Sequence, residues 1–208
     1  MDINPEQNME KSILKAAEIM FLEKGFEATS TTQIAKAVGC NQALVHYYFR
    51  TKDNLFNTIF ESKFKSFFKN IFDTTQLVNL SFLDKIKHIA DTHFDLLYEN
   101  PQIPKLILNE LARKPEHLKV LRDKLYVLPE QLFSMMSAEL EKEIEAGRVK
   151  NVTFVDIIIT IVSLNVAMFV MEPVVRGVLQ LTEEQKKFLL LHRKKENLNV
   201  ILSYLKPE

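Results

Sequence analysis

"QIAKAVGCNQALVHYYFRTKDNL", residues Gln33 to Leu55, decides the fold. From Ala28 to Lys52 there is no Asp or Glu, although the chain carries 27 acidic and 27 basic residues. The stretch reads as two short helices joined by a tight turn. Ser30 stands where it can cap the first, with Gln33 returning the hydrogen bond in a reciprocal capping box. That helix spans Thr31 to Val38 and stops at Gly39. Asn41 is a suitable N-cap for the second, and two short helices joined by "GCN" form the helix-turn-helix pattern. The second helix sorts into two faces. Leu44, Val45, Tyr48 and Phe49 fall on one side. Gln42, Ala43, His46 and Tyr47 fall on the other, with Arg50 following.

A helix that enters the major groove needs amide or imidazole groups to reach base edges and a small residue for close approach. It cannot carry carboxylates toward phosphates. The outer face meets each requirement, and Lys36, Arg50 and Lys52 add local positive charge. Tyr47 has a hydroxyl to donate to a phosphate. Thr51 caps the next helix, which puts Lys52 and its backbone amide at an anion-binding N-terminus. The competing reading is a solvated face on an ordinary three-helix bundle. Upstream, Ile13, Ala17, Met20 and Phe21 recur at helical spacing, so a helix spans about Glu6 to Lys24. Gly25 and Phe26 supply its C-terminal cap.

"GFEATSTTQIAKAVGCNQALVHYYFRTKDNL" resembles the N-terminal domain of the TetR family of bacterial transcriptional regulators. The shared features are "GF" after the first helix, the threonines opening the second, "IAKAVG", the aromatic "HYYF" and a Lys heading the fourth helix. The resemblance covers roughly residues 10 to 60, without a gap. It implies that Thr31, Tyr47 and Lys52 hold phosphates, and that Asn41, Gln42, Ala43 and His46 lie nearest the bases. Many members carry Tyr where this chain has His46, so no operator preference is carried over.

The remainder also reads as helical. Of 208 residues 47% are hydrophobic and 26% charged, with only four glycines, which places the chain among ordinary globular proteins. The expectation is an all-α protein of about nine helices. A helix-turn-helix DNA-binding domain would occupy residues 1–51, and a larger effector-binding and dimerisation domain residues 52–208. A phenylalanine-rich helix runs from Lys52 to Phe72. Ser81 with Asp84 opens another, reaching Tyr98, and one more ends at Lys114. Pro115 opens the next, which Pro129 kinks or splits and Gly147 ends. Thr153 and Asp156 open a helix to Met171, beyond which Pro173 and Gly177 interrupt the chain. Thr182 to Gln185 opens the last, ending at Leu205. "IIITIV" has strand-like β-branching, but its length and capped start favour helix.

One cysteine, Cys40, leaves no intramolecular disulfide and no cysteine-based zinc site, and a lone cysteine is ordinarily a packing residue. The N-terminus lacks the apolar core of a signal peptide. The apolar run Ile157 to Met171 is shorter than the roughly twenty residues a membrane span needs. A cytoplasmic protein that does not bind a membrane is expected.

A single helix-turn-helix covers few base pairs, so such proteins pair on a two-fold site. The apolar helix after Thr153 and the seam of the last helix are the best surface. Ile158, Ile161, Val162, Phe188, Leu191, Leu198, Leu202 and Leu205 are the candidate homodimer residues; the alternative is that both helices are interior core. Aromatic and methionine side chains gather elsewhere: Phe64, Phe67, Phe68, Phe94, Tyr98, Met135, Met136, Met168 and Phe169, with Asn165 among them. A pocket for an apolar or amphiphilic effector has this composition. So does a packed core in which methionine fills gaps.

No phosphate loop, nucleophile elbow or zinc-peptidase motif is present. Asp91, His93 and Asp95 alternate, and residues two apart on a helix do not face each other, so no metal and no cofactor are expected. The chain reads as a regulator, most simply a repressor of a palindromic operator, and not as an enzyme. The alternative is a helical small-molecule-binding or scaffold protein that reads no DNA.

Overall fold

The computed structural model describes residues 5–71, 77–113 and 129–207. Among them are nine helices and no strand. In chain order these are α1 (Pro5–Lys24), α2 (Thr31–Ala37), α3 (Gln42–Phe49), α4 (Lys52–Ile71), α5 (Phe82–Glu99), α6 (Ile103–Arg113), α7 (Pro129–Glu145), α8 (Phe154–Leu179) and α9 (Glu183–Tyr204).

The helices begin where short polar side chains satisfy their free N–H groups. The Ser30 hydroxyl accepts from the Gln33 amide at 3.2 Å, and the Gln33 side chain accepts from Ser30 N–H at 3.0 Å. Asn41 caps α3 by accepting from Leu44 N–H at 2.9 Å. Thr51 caps α4 and Ser81 caps α5. Thr153 with Asp156, and Thr182 with Gln185, close complete capping boxes at α8 and α9. Gly25 ends α1 with φ 80°, a left-handed backbone that a Cβ would strain.

One expectation is corrected. Pro173 and Gly177 do not interrupt the chain: both lie inside α8, which runs on to Leu179. Proline removes one backbone hydrogen bond, and the helix is tied to α9 on either side of it, by Glu172–Lys186 at 3.2 Å before it and Arg176–Glu183 at 2.6 Å beyond it. The helix ends instead at Gln180, which takes a left-handed conformation. At 26 residues, α8 therefore has the length and apolar composition to cross a membrane, which the shorter reading denied it. Pro129, expected to kink or split a longer helix, is the first described residue of α7. The helix expected from Pro115 lies outside the described residues.

Packing divides the chain into residues 1–66 and 67–208. In the first unit Ile13, Ala17, Phe21, Ile34, Val45, Phe49, Leu55 and Phe56 are buried. Phe21, Phe26 and Phe56 meet with ring centroids 5.2 to 5.7 Å apart. The first part of α4 packs within the first unit. The second unit has one apolar cluster around Ile86, Ile89, Met136, Leu140, Phe154, Ile157 and Ile201. A smaller one joins Phe94, Leu97, Phe169 and Leu190.

Candidate nucleic-acid interface

The two faces of α3 separate as its spacing dictates. Val45 and Phe49 are buried and anchor the helix on the first unit's core. Gln42, Ala43, His46 and Tyr47 are exposed, Tyr47 to 73%. Thr32, Lys36 and Arg50 are also exposed. The expected base-reading and phosphate-binding side chains of α3 therefore share one open surface.

On that surface the polar groups are already ordered. Gln42 Nε2 donates to Thr31 Oγ1 at 3.1 Å, and the Thr32 hydroxyl donates to Gln42 Oε1 at 3.0 Å. Gln42 Nε2 also lies 3.2 Å from His46 Nε2, while His46 Nδ1 lies 2.9 Å from the Arg50 carbonyl. A carbonyl only accepts, so Nδ1 carries the imidazole proton. In the neutral ring Nε2 is then the acceptor for Gln42.

Arg50 itself has φ 64° and ψ −52°, and Thr51 N–H donates to the Phe49 carbonyl at 2.7 Å. This is a γ-turn with positive φ, a strained form. It turns the chain sharply between α3 and α4 and brings the Arg50 carbonyl back to His46.

Three of the expected contacts are modified by the geometry. Thr31 is buried at the edge of the surface and holds Gln42. Asn41 is exposed, but its side-chain oxygen is used as the α3 cap. The Lys52 ammonium turns inward, donating to the carbonyls of Phe26 at 2.8 Å and Thr29 at 2.9 Å. It also lies 4.1 Å from the centroid of the Phe26 ring. Two of its three N–H groups are spent on the loop between α1 and α2. Thr32, which sequence reasoning passed over, belongs to the site; the clue was its place one residue into a helix that faces α3.

The second unit redistributes the other candidates. Ile161 and Leu205 are buried in its core, so neither can serve a surface; each belongs to the inward stripe of its helix. Ile158, Leu198 and Leu202 are half-buried, whereas Val162, Phe188 and Leu191 are exposed. Val155, Ile159, Val174, Val178 and Val200 also stand exposed and were missed. An α8 apolar on every side was the signal: such a helix buries one face internally and leaves another.

Among the described residues, the effector candidates other than Met135 and Asn165 lie in two packed clusters. The side chains of Phe64, Phe67 and Phe68 lie outside the described residues. Phe94 and Phe169 pack ring to ring at 5.2 Å beside half-buried Tyr98 and Met168. Met136 is buried in the other cluster, and neighbouring Met135 is exposed. Asn165 is satisfied internally: its Nδ2 donates to the Ala90 carbonyl at 3.0 Å and to His93 Nδ1 at 3.1 Å. Its Oδ1 accepts from Asn197 at 3.0 Å. Burial holds His93 neutral, with its pKa lowered to about 4. A groove of about 480 Å³ does open at the α8–α9 end, lined by Leu179, Leu181, Glu184, Gln185, Phe188 and Leu189.

Comparison with known proteins agrees with this geometry. The profile of "Bacterial regulatory proteins, tetR family" matches residues 13–59, from α1 into α4. The probable HTH-type transcriptional regulator YttP of Bacillus subtilis is 24% identical over 64% of this chain and 65% of its own length. The chain thus matches just under two thirds of that relative. The fatty acid metabolism regulator protein of Bacillus subtilis is 22% identical over 66% of this chain and 69% of its own. A crystal structure of a tetR-family regulatory protein from Rhodococcus RHA1 superposes with a TM-score of 0.71 at 17% identity, covering 96% of this chain and 98% of that one. These proteins are named as regulators, not enzymes, in line with the sequence expectation. With the helix-turn-helix and the exposed α3 face in place, residues 13–59 match the tetR-family regulatory-protein profile, and the chain shares its fold with a solved tetR-family structure.

Proposed function

We propose that this protein is a cytoplasmic transcriptional regulator of the TetR family, a repressor that binds a palindromic operator as a homodimer and is released by a small apolar or amphiphilic effector. The observation that carries the reading is the exposed face Gln42–Ala43–His46–Tyr47, on a stretch without carboxylates. Gln42 addresses base edges with His46 beside it, Ala43 allows close approach, and Tyr47 donates to a phosphate. Two heads are needed for affinity, and the exposed apolar residues of α8 and α9 support pairing through those helices. The fatty acid metabolism regulator among the relatives supports an effector of apolar character.

Selection of random duplex DNA by the purified protein tests the proposal. A palindromic motif should be enriched, altered by Gln42→Ala and weakened evenly across sequences by Tyr47→Phe. Affinity should fall steeply with salt as several phosphates are neutralised. No enrichment at low salt would refute DNA reading and favour a helical ligand-binding protein.

A further inference from the structure

A glutamine carboxamide has two N–H donors and two acceptor lone pairs. In Gln42 both donors are engaged, by Thr31 Oγ1 at 3.1 Å and His46 Nε2 at 3.2 Å. One lone pair takes the Thr32 hydroxyl at 3.0 Å. What remains on this exposed side chain is one acceptor position on Oε1. The orientation is not arbitrary, because the Arg50 carbonyl forces the His46 proton onto Nδ1. Turning the amide over would set its oxygen against the Nε2 lone pair.

We infer that Thr31, Thr32 and His46 are positioning residues that hold the Gln42 carboxamide with its carbonyl toward DNA, so that Gln42 selects a base presenting an amino group in the major groove. The inference rests on the proposed DNA reading. The major-groove amino groups are N6 of adenine and N4 of cytosine. A freely rotating glutamine favours adenine, donating to N7 while accepting from N6. Here that second bond requires releasing Thr31 or His46, so adenine loses its advantage. At the contacted position A and C are both accepted, and G and T, which offer only acceptors there, are refused.

The test is a binding panel with all four bases placed at the position that Gln42→Ala alters in the selected motif. The wild-type protein should bind the A and C duplexes within a few-fold of each other. Thr31→Val and His46→Phe each release one N–H of the amide, and each should raise the A-to-C preference by about tenfold, the size of one added base contact. Thr31→Ser, which keeps the hydroxyl, should restore the wild-type ratio. His46→Phe acts on a different side of the amide, so the two variants check one another if either folds poorly. Strict adenine selection by the wild type would overturn the inference. So would variants that weaken all four duplexes equally, which is what loss of a phosphate contact does. A wild-type protein that selects no motif would remove DNA reading as well, an outcome distinct from a motif with the wrong base.

Discussion

Lys52 shows how one residue can be placed correctly in the chain and still act differently from expectation. Its position at the head of α4 was legible, because Thr51 announces a cap and the family resemblance aligns a lysine there. Where its ammonium points was not, since that depends on two carbonyls more than twenty residues upstream, Phe26 and Thr29. Charge-assisted hydrogen bonds to neutral acceptors contribute about 1.5–3 kcal/mol each when protected, and a cation over Phe26 adds to them. Lys52→Met should therefore destabilise the protein by about 2 kcal/mol in urea denaturation. A lysine that only held phosphate would leave the unfolding midpoint in place and change DNA affinity alone. The strained backbone at Arg50 was equally invisible from sequence: nothing in "FRT" specifies positive φ at an arginine.

At the scale of elements, helix starts were the most legible features and helix ends the least. A start is written locally, as Ser30, Asn41, Thr51, Ser81, Thr153 and Thr182 each accept from an amide three residues on. The end of α8 is a tertiary matter: Pro173 yields to the ion pairs that fasten the helix to α9. The buried polar residues behave likewise. Asn165 stood out among aromatic and methionine residues, but its partners His93 and Asn197 lie on α5 and α9 and complete a network across α5, α8 and α9. That network has a pH signature. His93 has a folded pKa of about 4 against an ordinary value of 6.5, because burial penalises its charged form. The unfolded chain therefore binds the extra proton first as pH falls. The stabilisation is complete above about pH 6.5 and is lost between there and pH 4, amounting to about 3 kcal/mol for a shift of this size. His93→Gln, which retains an acceptor for Asn165, should flatten the fall in melting temperature across that window. An unchanged pH profile in the variant would assign the acid sensitivity to other groups.

For the whole molecule, the decisive feature is apolar surface that the isolated chain leaves open. Helical periodicity could say that α8 was apolar on all sides, but it could not say which side faces inward. The buried stripe Phe154, Ile157, Ile161, Asn165 and Phe169 resolves that by packing, and leaves Val155, Ile159, Val162, Val174 and Val178 exposed. Phe188 on α9, 73% exposed, adds an aromatic side chain to the apolar surface. Contiguous apolar patches larger than a few hundred Å² mark association sites on soluble proteins. A membrane is the other solvent that could cover such a helix, but buried Asn165 fastens α8 to α5 and α9 through hydrogen bonds that a lone spanning helix would lack. We therefore expect a second copy of the chain to cover this face. In a two-fold interface each substitution acts twice, so Ile159→Glu combined with Phe188→Glu places four carboxylates in what was an apolar contact. Sedimentation equilibrium should then report a dimer for the wild type and a monomer for the double variant, with unchanged helical content by circular dichroism. Operator affinity should fall as dimerisation is lost, because one head alone contacts a single half-site. A wild-type monomer at micromolar concentration, or a double variant that remains dimeric, would remove α8 and α9 from the interface and leave their exposed apolar residues to a different partner.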